Sequence, residues 1–129
     1  MKSITIPNSF ENKEKKFSKA WGEEIWIHND EKYCGKILRF KNNGKFSLHF
    51  HIKKEETWYV NKGAFILNII DPTAANKKQY FLSPGDIIEI PKGVPHQLSA
   101  TEEDSEIFEV STQHFEDDSY RIEKGDSQK

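Results

Sequence analysis

Short apolar or alternating runs, each cut off by a turn, limit what this chain can fold into. The runs are EIWIH (24–28), CGKILRF (34–40), FSLHFHI (46–52), TWYV (57–60), AFILNII (64–70), QYFL (79–82), DIIEI (86–90), HQLSA (96–100) and EIFEV (106–110). Asn29-Asp30, Asn42-Asn43-Gly44, Asn61-Lys62-Gly63, Asp71-Pro72, Ser83-Pro84-Gly85 and Pro91-Lys92-Gly93 separate them. Many short strands punctuated this way predict an all-β sandwich or barrel. No long segment keeps a helical period. Residues 72–78 (PTAANKK) read as a loop.

The chain of 129 residues suits one domain. The reading divides it into an N-terminal arm (1–19), a β domain (20–122) and a flexible tail (123–129). Only 35 % of residues are hydrophobic, so the nine Phe, four Tyr and three Trp must supply much of the core. A net charge of -2 provides no basic surface for nucleic acid or anionic lipid. Cys34 is the single cysteine, which rules out an internal disulfide and fits a reducing compartment. Neither a signal-peptide core nor a run approaching the roughly 20 apolar residues of a membrane span is present. These features predict a cytoplasmic protein without nucleic-acid or membrane partners.

The run SLHFHIKKEE (47–56) carries the chemistry. Side chains alternate along a strand, so His49 and His51 point the same way, with Ser47 and Lys45, while Leu48, Phe50 and Ile52 need burial on the other face. Glu56 opens the next strand and shares an inner face with Trp58 and Val60. Two imidazoles and a carboxylate on adjacent strands make three corners of a divalent metal site. His96, after the Pro91–Gly93 turn, is the available fourth.

This arrangement resembles the cupin family. One cupin motif, G(x)5HxH(x)3-4E(x)6G, is similar to His49-x-His51, four residues, Glu56, six residues, Gly63, with Gly44 one residue closer than the motif specifies. The second, G(x)5PxG(x)2H(x)3N, is similar to Gly85, Pro91, Gly93 and His96, with Ala100 at the final position. The resemblance implies a single double-stranded β-helix, a jelly-roll barrel. It also implies one divalent transition metal ion (Zn, Mn, Fe, Ni or Co) held by His49, His51, Glu56 and His96. Glu55 fits the looser spacing, but only Glu56 has six residues before Gly63, and alternation turns Glu55 outward.

Over residues 20–122 the chain resembles the cupin domain of type II mannose-6-phosphate isomerases and related short cupins. Trp21-Gly22, Tyr33-Cys34-Gly35-Lys36, Ser47-Leu48-His49-x-His51-x-x-Lys54-x-Glu56 and Ile90-Pro91-x-Gly93-x-x-His96-x-Leu98 carry the likeness. So do Glu109-Val110 and Glu116-Asp117-Asp118-x-x-Arg121. Three departures stand out: His49 occupies the place of a Gln, Lys54 that of an Arg, and Ser111-Thr112 follow Glu-Val where the family has Gln.

The resemblance implies a metal-dependent aldose–ketose isomerase acting on a sugar or sugar phosphate, and a homodimer. Lys54, Arg121 and Glu109 are the catalytic candidates. A lysine near a cation is expected to have a lowered pKa and to move a proton, and an arginine offers a planar fork for phosphate. Trp58, Lys36 and His114 are substrate-binding candidates, with Trp58 the sugar platform if it is not barrel core. A cupin dioxygenase or lyase and a non-catalytic sugar-binding module are the competing readings. The acidic runs 102–106 and 116–118 read as solvated loops, and His28 and Cys34 as surface or packing residues.

Overall fold

The computed structural model describes residues 4–6 and 15–129. Its strands are β1 (Lys15–Lys19), β2 (Gly22–Asn29), β3 (Cys34–Phe40), β4 (Leu48–Phe50), β5 (Glu56–Lys62), β6 (Phe65–Asp71), β7 (Asn76–Leu82), β8 (Ile87–Ile90), β9 (His96–Ala100), β10 (Ser105–Ser111) and β11 (Tyr120–Glu123). They form two antiparallel sheets, ordered β1-β2-β3-β10-β5-β8 and β11-β4-β9-β6-β7. The sheets face each other as a jelly-roll, within the sandwich-or-barrel class that the strand rhythm predicted and as the cupin resemblance implied. Among the described residues no helix is long and apolar enough to cross a membrane.

The inner faces follow the period-two pattern, and each has a polar end and an apolar end. On β3, Lys36 is buried, then Leu38 and Phe40; on β5, Glu56, then Trp58 and Val60; on β9, His96, then Leu98 and Ala100. Antiparallel register keeps the polar ends together and the apolar ends together. Lys36 pairs with Glu109 and Glu109 with Trp58, while Leu38 pairs with Ile107 and Ile107 with Val60. The result is one apolar pole, closed by Trp21, Phe65 and Leu67 among others, and one pole of buried charge.

Gly63 shows why the β5–β6 turn needs glycine. Its φ is +77°, and an added Cβ would meet Ser105 Oγ and lie 2.6 Å from Ser105 Cα.

Several expectations need correction. The segment 72–78 is not all loop. Asp71 pairs with Asn76, so β7 begins at Asn76 after a tight turn in which Asp71 Oδ1 accepts the amides of Thr73 and Ala74. β7 is an edge strand exposed from Asn76 to Phe81, so its sequence shows no buried alternation. Part of the arm, Lys15–Lys19, is a strand paired with β2; the rest of segment 7–14 lies outside the described residues.

The expected flexible tail folds back on the barrel. Asp126 exchanges hydrogen bonds with Lys45, its N–H donating to the Lys45 carbonyl (2.8 Å) and its Oδ2 accepting the Lys45 amide (2.9 Å). Gly125 lies so close to the Phe46–Ser47 backbone that no side chain would fit there. Leu48 is fully buried, but Phe50 is only half-buried against Tyr120 and Ile52 is 56 % exposed, because β4 ends at Phe50. Neither acidic run is simply solvated: Glu106 is buried with Arg39 (2.9 Å) and Asn61 (3.0 Å), and Asp118 is 1 % exposed.

Candidate metal centre

The histidines come together through sheet register. His49 on β4 stands directly opposite His96 on β9, and His51 follows two residues on, just past the strand end. One ligand nitrogen from each of the three lies within 4.8 Å of the others. Every outer ring nitrogen is occupied. Nδ1 of His49 faces the Ser47 carbonyl (2.8 Å), Nδ1 of His51 the Asp118 carbonyl (2.7 Å) and Nδ1 of His96 the Val94 carbonyl (2.9 Å). A carbonyl only accepts, so each Nδ1 carries the proton and each Nε2 is left with a lone pair.

Glu56 stands beside this group. Its Oε2 lies 3.3 Å from His51 Nε2 and 3.9 Å from His96 Nε2. Its Oε1 accepts the Trp58 indole N–H at 2.6 Å, whereas Oε2 is buried with no hydrogen-bond partner. Burial lowers the pKa of His49, with His96 and His51 adding to the effect; it also lowers that of His51, aided by Lys54. Burial works the other way on Glu56, but Lys54 foremost, then the two histidines and Trp58, hold its carboxyl well below the usual range. Three imidazole nitrogens and an orphaned carboxylate oxygen thus converge in one buried place. That donor set fits a divalent transition ion, with His49, His51 and His96 as the holding group and Glu56 within reach as a further donor.

The opposite wall is built by the other sheet. Lys54, 4 % exposed, comes from the β4–β5 loop, and its Nζ lies 3.3 Å from Glu109 Oε2, 3.7 Å from Glu56 Oε2 and 3.3 Å from His114 Nδ1. The expected lowering of its pKa is reversed. Burial does disfavour the ammonium, but Glu109 and then Glu56 outweigh it, so the group stays protonated. Two carboxylates that spacing alone did not place beside the lysine explain the difference.

Lys36 is also buried. Its Nζ reaches Glu24 Oε1 at 3.2 Å and lies 4.4 Å over the Trp26 ring, which itself donates to Glu24. The Glu24 carboxyl is lowered despite burial, chiefly by Lys36. His114 packs edge-on against Trp26 and is clamped by Asn29, whose side chain both donates to the His114 carbonyl and accepts its amide. Burial first, then Lys36 and Lys54, push its pKa down to about 3.

Trp58 is 1 % exposed, packed edge-on against His96 and Phe46 with its N–H given to Glu56. It therefore offers no open face for a stacked sugar and acts instead as a support for the carboxylate. Arg121, on β11 opposite His49, lines the cavity mouth with Ser119 and Gln128, and its guanidinium has no ion-pair partner among the described residues. Glu55 is exposed. His28 stacks on Tyr33 away from the cavity, and the buried Cys34 thiol is pushed up by burial.

Sequence reasoning missed Glu24, Trp26 and Asp118. The alternation Glu24-x-Trp26 was a usable signal for the first two. Asp118 stood in the motif Glu116-Asp117-Asp118-x-x-Arg121, but nothing there told its role, because its partners are backbone amides more than sixty residues away.

A family model described as cupin matches residues 4–123. No curated protein sequence matches the chain. Among solved structures, oxalate decarboxylase from Bacillus subtilis superposes with a TM-score of 0.79 at 22 % identity, covering 93 % of this chain and 33 % of that one. The capsular polysaccharide assembling protein CapF from Staphylococcus aureus gives 0.76 at 16 %, covering 88 % and 34 %. KdgF from Halomonas sp. gives 0.64 at 21 %, covering 74 % and 82 %. The chain thus spans about a third of the first two, and at these identities the likeness is one of fold.

Proposed function

The chain belongs to the cupin family, and from that premise we propose that it is a metal-dependent aldose–ketose isomerase for a small sugar or sugar phosphate. One observation carries this reading: the hydrogen-bonded row Glu109–Lys54–His114 runs alongside the three-histidine group. Moving a carbonyl between neighbouring carbons needs a base for a C–H proton and an acid for the carbonyl oxygen. A divalent ion at the histidines, with Glu56 as fourth donor, would supply Lewis acidity toward that carbonyl.

In this reading the Glu109 carboxylate takes the proton from C2 and returns it to C1. Lys54, held as the ammonium between two carboxylates, donates a proton to O1 and recovers one from the O2 hydroxyl as the carbonyl forms there. Neutral His114 accepts from Lys54 and keeps its Nζ aimed across the cavity. The cavity, about 160 Å³, is smaller than the roughly 300–1,000 Å³ of pockets for drug-sized ligands, which favours a small polar substrate over a nucleotide. The unpartnered Arg121 at the mouth suits a phosphate or carboxylate protruding from it. A homodimer in the cytoplasm completes the proposal; light scattering and cell fractionation test those two parts.

The deciding experiment incubates metal-loaded protein in D2O with mannose 6-phosphate, fructose 6-phosphate, mannose and lyxose. Interconversion with deuterium entering C2 supports the reading; no interconversion and no deuterium at C2 removes it. A second reading, a lyase or dioxygenase on a small organic acid, draws support from the fold likeness to an oxalate decarboxylase with Mn(II) centres. Carbon dioxide release or oxygen uptake without sugar exchange would favour it. Tight sugar binding without turnover would favour a binding module.

A further inference from the structure

Asp118 sits in the connection between β10 and β11, in the acidic run that sequence alone would leave in solvent, yet it is 1 % exposed. Its carboxylate accepts three consecutive backbone amides: Ile52 at 3.0 Å on Oδ1, Lys53 at 3.1 and 3.2 Å on both oxygens, and Lys54 at 3.0 Å on Oδ2. Its own backbone carbonyl accepts the His51 Nδ1–H at 2.7 Å. One residue therefore grips residues 51 to 54 without a break. That segment begins at a histidine of the metal group, ends at the lysine beside it, and leads within two residues to Glu56.

The chemistry of the grip is specific. A carboxylate presents only acceptors, so it can serve three inward-pointing amides at once. An asparagine would turn an NH2 toward one of them. The carbonyl contact is specific too: it holds the proton on His51 Nδ1 and so keeps the Nε2 lone pair toward the cavity. By contrast Asp126, the other buried-side aspartate of the returning C-terminus, accepts a single amide, that of Lys45, and touches no residue of the metal group.

We infer that Asp118 is a positioning residue of the metal centre, setting the His51 tautomer and the spacing from His51 to Glu56. The inference rests on the metal-site reading and not on the isomerase chemistry.

The test uses the full chain, stripped with a chelator, as wild type, Asp118→Asn and Asp126→Asn. Titration with Co(II), and Zn(II) competing for it, should show the Kd of Asp118→Asn raised about 10–100-fold, with Asp126→Asn within about threefold of wild type. The visible absorption of the Co(II) protein should shift in Asp118→Asn alone. In the stripped protein, long-range 1H–15N correlations of His51 should report the Nδ1–H tautomer in wild type and Asp126→Asn; the main-chain carbonyl survives in Asp118→Asn, so the mixture expected there reports that the weakened carboxylate grip has let this carbonyl move off Nδ1. If Asp118→Asn does not fold, Asp118→Ser, which keeps one acceptor oxygen, is read by the same measurements. A wild type that binds neither ion overturns the metal site and the inference together. A wild type that binds, with Asp118→Asn matching it in Kd, spectrum and tautomer, overturns the inference alone.

Discussion

Protonation of His114 should be a measurable load on the fold. The ring is 14 % exposed, packed against Trp26 and flanked by the Lys36 and Lys54 ammonium groups, and its pKa is lowered from the ordinary 6.5 to about 3. The sign follows from proton binding. Between those two values the unfolded chain binds a proton that the folded chain refuses, so the contribution is intact above 6.5 and is lost as pH falls toward about 3. Going from about pH 7.5 to about pH 4.5 crosses roughly two units below the unfolded value, worth about 2.7 kcal/mol at about 1.4 kcal/mol per unit. The figure depends on the unfolded pKa and only requires the folded one to lie below the lower pH. His49 and His51 are shifted the same way, so wild type should lose more than this. His114→Asn removes the titrating group while an amide can still meet Lys54. Urea unfolding of chelator-treated protein at both pH values measures the difference of differences. The variant should lose about 2–3 kcal/mol less than wild type across the window. Parallel losses, equal within about 0.5 kcal/mol, would refute the claim that the fold holds His114 neutral.

Four further outcomes follow from the geometry. Trp58→Phe removes the hydrogen bond to buried Glu56 Oε1 and should destabilise by about 1–3 kcal/mol in urea; an unchanged midpoint would show that the indole N–H does not serve the carboxylate. Gly63→Ala meets both a left-handed φ and Ser105, whereas Gly85→Ala meets only a left-handed φ of +95° with nothing within 4 Å of the new Cβ. The first should therefore cost at least about 1 kcal/mol more than the second, and equal losses would remove the steric argument. A divalent ion at about 100 times its Kd should raise unfolding free energy by about 2.7 kcal/mol, a gain that His96→Ala should abolish. Arg121→Ala should raise KM for a sugar phosphate roughly tenfold or more with little change for the free sugar, in line with a lost charged hydrogen bond of about 1.5–3 kcal/mol; equal effects on both would move Arg121 out of the anion-binding role.

The strands that line the interior were legible because burial writes alternation into them: Lys36, Leu38 and Phe40 on β3, or Glu56, Trp58 and Val60 on β5. The shared face of His49 and His51 was legible for the same reason, whereas His96 was brought to them by the cupin resemblance, because its register opposite His49 joins strands far apart in sequence. β1, β7 and β11 carry almost no buried residues, so beyond the run QYFL (79–82) their sequences state little preference for a face; hairpin pairing with β2 and β6 makes strands of the first two, and long-range pairing with β4 makes one of β11. Lys54 was misjudged because its protonation depends on Glu109, fifty-five residues away in sequence. Asp118 looked like a solvated acid because its partners are main-chain amides, which carry no residue identity to read.

The two sheets divide the labour of the cavity. His49 and His96 are mounted on the sheet of β4 and β9, while Glu56 and Glu109 are mounted on β5 and β10 of the other. The histidine pair and the carboxylates Glu56 and Glu109 therefore ride on separate platforms, whose offset is set at the far, oily end by packing such as Phe65 and Leu67. A substitution there that lets one platform slide against the other would leave each set of groups internally intact yet change the gap between them.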